Sequence, residues 1–164
     1  MKKNYIIDGY NLGYKIPSIS KWITTGETER AIQLIKNYVN KLGRQANQII
    51  LVFDGLKESP GGDSKQGILQ IKFSRKPQTA DDIIRQFIRS QKNASHWIVV
   101  SSDSEIRFTA EDMGAKAISS EIFIASLRPN RNKSQTKINK EKYQPENIDI
   151  NYWLDQFNQS GDKS

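Results

Sequence analysis

Asn4–Asp8 (NYIID) and Gln48–Asp54 (QIILVFD) decide the fold, because each is a short apolar run rich in β-branched residues and each is closed by Asp-Gly. Runs of this length without a helical period are expected to be buried strands. Between them Ala31, Leu34, Ile35, Tyr38, Val39 and Leu42 recur at helical spacing, and Gly43 follows as a C-terminal cap, so the pattern predicts a helix over 27–42. Residues 55–66, with Pro60, Gly61 and Gly62, are predicted to be a loop leading into a strand over 68–73.

Thr79 opens a further predicted helix. Its first turn carries Asp81 and Asp82, and its apolar face is Ile83, Ile84, Phe87 and Ile88; Thr79 with Asp82 is a variant capping box. A strand is expected over 96–100 (HWIVV), ended by Ser102-Asp103. A helix over 104–113, a short strand over 116–118 and a last helix over 120–127 complete the pattern. Strands alternating with helices imply an α/β fold with a mostly parallel sheet covered on both faces.

At 164 residues the chain is long enough for one domain with a real core, followed by a tail. The folded part is expected over 1–128. Residues 129–147 are polar and strongly basic, a linker or arm, and 148–164 hold a short apolar cluster (Ile148, Ile150, Trp153, Leu154, Phe157) and a polar end. There is no cysteine, which excludes disulfides, thiolate zinc sites and a thiol nucleophile, and fits a reducing compartment. The apolar start is broken by Asp8 before a signal-peptide core forms, and no run is long enough to span a membrane, so a cytoplasmic protein is expected. Lys and Arg exceed Asp and Glu by 25 to 18, a net charge of +7, which favours a polyanionic partner.

Asp8, Asp54 and Asp103 each end a predicted strand, and Asp81 begins the helix after another. In an open parallel sheet the carboxyl ends of the strands share one edge, so four acids distant in sequence should converge there. Clustered carboxylates need a cation, and oxygen donors without histidine or cysteine select Mg2+ or Mn2+. Such a centre suits phosphodiester hydrolysis. The single histidine, His96, excludes a two-histidine ribonuclease, and no G-x-S-x-G elbow supports a serine hydrolase. The plainer alternative is that Asp-Gly makes turns and that acids in a first helical turn favour its dipole.

Asp8-Gly9-Tyr10-Asn11-Leu12, Val52-Phe53-Asp54-Gly55, Thr79-Ala80-Asp81-Asp82 and Val99-Val100-Ser101-Ser102-Asp103 resemble, in order and spacing, the motifs of the NYN domain family, in its YacP-like bacterial branch. The resemblance runs over 4–127. It implies a PIN-like, three-layer α/β/α fold and a ribosome-associated endonuclease that cleaves messenger RNA with Mg2+ or Mn2+. By motif position it gives Asp8, Asp54, Asp81 and Asp103 metal or catalytic roles, with Asp82 open between a metal role and a helix-start role. Asn11 would orient a ligand or water, and Ser102 would help position Asp103. Ser104 stands where many relatives have arginine or another longer polar residue, a departure that bears on substrate contacts and leaves the acids intact.

RNA contacts are expected from Arg75 and Lys76 before the Thr79 helix, from Arg30, Lys36, Arg85 and Arg107 on helices, and from the arm with Arg128, Arg131 and Lys133. Tyr10, Tyr14 and Trp22, expected on a loop, are candidates to stack an unpaired base, although Trp22 would equally cover the domain's edge. A non-catalytic RNA- or ribosome-binding module on the same fold is the competing expectation. Oligomeric state is left open by the sequence.

Overall fold

Tyr5, Ile6 and Ile7 are all fully buried, which a strand achieves only when both of its faces are covered. In the computed structural model, which describes residues 2–55 and 63–128, they form the middle of β1 (Lys3–Asp8). β1 lies between β2 (Ala46–Phe53) and β5 (Trp97–Val100), and both neighbours run parallel to it. Outward from β2 comes β4 (Leu69–Phe73), parallel, and then β3 (Ser64–Gln66), antiparallel; outward from β5 comes β6 (Lys116–Ile118), parallel. Among the described residues this makes one six-stranded, mostly parallel sheet.

Alternation along the strands sends side chains to two faces. Ile6, Ile50, Val52 and Val99 share one core with Ala80, Ile84 and Ile88 of α4 (Ala80–Ser90) and with Ile106 and Ala110 of α5 (Ser104–Asp112). The intervening Tyr5, Ile7, Leu51, Phe53 and Val100 face the other way. That face is covered by α1 (Gly9–Tyr14), α2 (Pro17–Thr24) and α3 (Thr28–Val39), whose Leu12, Ile19, Ala31, Ile35 and Val39 are buried. The compact unit is Lys2–Glu121, and helix α6 (Ser120–Leu127) begins within it; the described residues beyond Glu121 belong to a second unit.

Helix α4 starts where its cap dictates. The Asp82 N–H donates to Thr79 Oγ1 at 3.2 Å, and the Thr79 N–H donates to Asp82 Oδ2 at 3.0 Å, a complete capping box. Replacing Thr79 by alanine is expected to cost about 0.5–2 kcal/mol, measurable as a lowered urea midpoint with unchanged slope.

Several sequence expectations are corrected. Tyr10, Tyr14 and Trp22 lie on α1 and α2 rather than on a loop. Pro17 sits at the first position of α2, where its missing N–H costs nothing, and the helix buries Ile19. The α-helix predicted over 27–42 stops at Val39, with Asn40 as its cap, and tightens into a 3-10 turn over Asn40–Gln45; Gly43, expected as the cap, lies inside that turn with φ 49° and ψ −123°. His96 belongs to a 3-10 turn, so its strand starts at Trp97. Ser64–Gln66, expected to be loop, is strand β3. The expectations for Pro60, Gly61 and Gly62, for 129–147 and for 148–164 lie outside the described residues. Among the described residues no helix is long and apolar enough to cross a membrane.

Candidate functional site

Strand register decides which groups meet at the carboxyl edge of the sheet. Ile7 pairs with Val100, so Ser101 comes level with Asp8; Phe53 pairs with Phe73, so Ser74 comes level with Asp54. Each strand-end aspartate thereby meets a buried serine from a parallel neighbour. Ser101 Oγ donates to Asp8 Oδ2 at 3.4 Å, and Ser74 Oγ donates to Asp54 Oδ1 at 3.4 Å. Sequence reading missed both serines.

The other bonds of the acids show what holds them. Asp54 Oδ1 also accepts the Ala80 N–H at 2.7 Å, which ties the end of β2 to the start of α4. Asp103 caps α5, its Oδ1 accepting from the Glu105 and Ile106 N–H groups at 2.8 and 3.3 Å. Asp54 and Asp103 thus each use Oδ1 for the first amides of a helix, a service beyond the turns and helix dipole of the plainer reading. Asp81 Oδ2 is held by Arg85 Nη2 at 2.8 Å, while Asp81 Oδ1 is buried without a hydrogen-bond partner among the described residues. Asp82 takes Arg85 Nη2 at 3.4 Å and completes the capping box, a helix-start role.

Asn11 sits at a node. Its Oδ1 accepts the Ser102 N–H at 2.9 Å and the Ser120 hydroxyl at 2.7 Å, joining α1 to the loop after β5 and to the first turn of α6. Ser102 Oγ in turn donates to Glu121 Oε1 at 2.8 Å, and Lys15 Nζ lies 3.4 Å from the same oxygen. Ser120, Glu121 and Lys15 were not anticipated; no apolar period or motif marks them. Ser102 also differs from expectation in detail: it is Ser101 Oγ that accepts the Asp103 N–H, at 3.1 Å.

The electrostatics tie the acids to one another. Burial pushes the Asp8 carboxyl up to about 6; the Asn11 N–H and the Ser101 hydroxyl oppose this, while the charges of Asp54 and Asp81 add to it. Asp81 is raised as well, first by burial and then, against the pull of Arg85, by Asp103, Asp82 and Glu105. Asp82 is lowered by its bonds within the capping box. Partial burial would raise Glu121, yet the Ser102 bond and Lys15 outweigh it and bring it down. Burial raises Tyr10, and the Asp54 charge beside it raises it further.

The proposed nucleic-acid contacts divide. Arg75 and Lys76 are exposed at the turn after β4, on the same edge as the acids. Arg85 is turned to Asp81 and Asp82 instead. Arg107, half-buried on α5, forms no ion pair with the four acids among the described residues, and its Nε has no partner there. Arg30 stacks on Trp22 at 3.9 Å from the ring centroid, so that face of the indole is already covered; Lys36 lies on the same helix, α3. Tyr10 packs edge-on against Phe53, centroids 4.9 Å apart, and Tyr14 is exposed. Arg128 is exposed just past α6, while Arg131 and Lys133 lie outside the described residues.

Among the described residues no three acids are drawn together into a ready-made metal cage. Their donors nonetheless suit a hard divalent cation. They offer only carboxylate oxygens, one of them buried and orphaned at Asp81 Oδ1, and magnesium typically binds one or two carboxylates and keeps its waters.

The family model described as a YacP-like NYN domain matches residues 5–160. Two crystal structures of Rae1 (YacP) from Bacillus subtilis are similar in fold. One, of a tryptophan-to-leucine mutant, has a TM-score of 0.62 at 18% identity, covering 92% of this chain and 89% of that one. The other has a TM-score of 0.60 at 19% identity, covering 98% and 95%. At these identities the likeness establishes the fold. No protein with a curated description matches the sequence.

Proposed function

Since the chain belongs to the YacP-like NYN domain family, a nuclease-like α/β fold, we propose that it is a divalent-metal-dependent endoribonuclease acting on messenger RNA in association with the ribosome. The observation that carries this is geometric: Asp8 and Asp54 end neighbouring parallel strands, and Asp54 is bonded to the start of α4, whose first turn carries Asp81. Asp8, Asp54, Asp81 and Asp103 would hold Mg2+ or Mn2+, while Asp82 stays with the α4 cap and Arg85. When bound, such an ion supplies a Lewis acid toward phosphoryl oxygens and an acidified water.

The chain's own part is orientation. Ser101 steadies Asp8, Ser74 and the Ala80 N–H steady Asp54, and the first amides of α5 steady Asp103. Three carboxylates are thus aimed before substrate arrives, and little ordering remains to be done on binding. Arg75 and Lys76 border the edge where a phosphate backbone would pass, and Tyr10 stands beside Asp54. Arg128, Arg131 and Lys133 would serve as an electrostatic tether to RNA or ribosome.

The test is to incubate the protein with single-stranded RNA, and separately with messenger RNA on translating ribosomes, with and without Mn2+. New RNA ends that require Mn2+ in either mixture are expected. Retention of RNA with no new ends in both would instead mark a binding module.

A further inference from the structure

Arg85 holds Asp81 at 2.8 Å from a half-buried position, and the carboxylate it holds also faces the like charges of Asp103, Asp82 and Glu105, with Asp8 nearby. We propose that Arg85 is a stand-in cation, occupying Asp81 in the metal-free protein and giving it up as the site loads, so that loading is an exchange of one positive charge for another at Asp81. The inference rests on the reading of the site as a metal centre.

Two features make the exchange feasible. First, the same Nη2 that holds Asp81 already touches a second acceptor, Asp82 Oδ1, at 3.4 Å. Asp82 is itself held, its Oδ2 accepting the Thr79 N–H at 3.0 Å. Arg85 can therefore release Asp81 and stay paired, without stranding its charge. Second, the pairing leaves Asp81 incomplete. Asp81 Oδ1 is buried with no hydrogen-bond partner among the described residues, and so is Arg85 Nε. A shielded carboxylate oxygen without a donor is costly, and a hard cation would satisfy it where Nη2, engaged with Oδ2, does not. The rival account is an ordinary i,i+4 helix pair, which would stabilise α4 alike with or without metal.

Calorimetric titration of Mn2+ into the RNA-free parent, Arg85→Gln and Arg85→Lys separates these accounts. Arg85→Gln is expected to take up Mn2+ about fivefold or more tightly than the parent, because its competitor for Asp81 is gone. Arg85→Lys, which keeps the charge and loses the reach of Nη2, should fall between them. Arg85→Gln should also melt below the parent without metal, with the gap closing at saturating Mn2+. Mn2+ affinity equal to or weaker than the parent's in Arg85→Gln overturns the exchange and leaves the metal reading standing. If Arg85→Gln does not fold, the same comparison is made with Arg85→Lys, and affinity no higher than the parent's is equally decisive. Failure of the parent itself to bind Mn2+ removes both.

Discussion

Asp8→Asn is expected to lower RNA cleavage by at least about 100-fold and, without metal, to melt above the parent. The activity loss is set by comparison: even partners one step removed from a metal typically cost about 10–100-fold when lost, and Asp8 would be a direct ligand. The stability gain follows from the carboxyl being pushed from 3.8 to about 6, chiefly by burial and further by Asp54 and Asp81. Each unit is about 1.4 kcal/mol, so ionised Asp8 destabilises the folded form at pH 7 by an amount on the order of 3 kcal/mol. The raised group binds its proton more tightly folded than unfolded. Stability from this residue is therefore fully present below 3.8 and is lost as pH rises through about 6. Denaturation measured across that window should show the parent weakening more steeply than the asparagine variant, which keeps only the smaller loss from the raised Asp81. Mn2+ should raise the melting temperature of the parent more than that of the variant; equal shifts would contradict a centre built on Asp8.

Gly55→Ala should be the most damaging small substitution near the site. A Cβ there would lie 2.0 Å from the Ser74 carbonyl oxygen, and that oxygen is backbone, which cannot swing aside as a side-chain tip does. The chain after β2 must move, and with it the Gly55 N–H bond to Ser74 Oγ at 3.0 Å and the hold on Asp54. Overpacking of this kind costs about 1–3 kcal/mol or more. Gly9 is similarly confined: its Cβ would fall 2.3 Å from Cε1 of the fully buried Phe53. A lowered urea midpoint together with weakened Mn2+ uptake is the expected result for Gly55→Ala, and an unchanged midpoint would show that the β2 exit is looser than its packing implies. In both Asp-Gly pairs the glycine makes room for a neighbour, a different service from the turn its composition suggests.

The central strands were legible because Ile6, Ile7, Ile49–Val52 and Ile98–Val100 are buried on both faces, and burial of that kind writes a continuous apolar run. The acids were legible for a related reason, since they end those runs. Ser74 and Ser101 were not. A serine after a strand looks like any turn residue, and only the lateral alignment of Phe53 with Phe73, and of Ile7 with Val100, brings it level with an aspartate. Helices α1 and α2 are too short to display a period, and β3 is Ser-Lys-Gln, with no apolar residue to announce it. Arg85 was visible at four residues from Asp81, yet spacing alone does not say whether a guanidinium serves a phosphate or its own helix.

The outermost strand beyond β4 has a further consequence for how molecules of this protein behave in company. Ser64, Lys65 and Gln66 are all exposed, and the strand is only three residues long. Another chain seeking to extend the sheet there would find few free peptide groups and would crowd an ammonium against its own backbone. Crowded solutions should therefore not drive these molecules to stack edge to edge along that border.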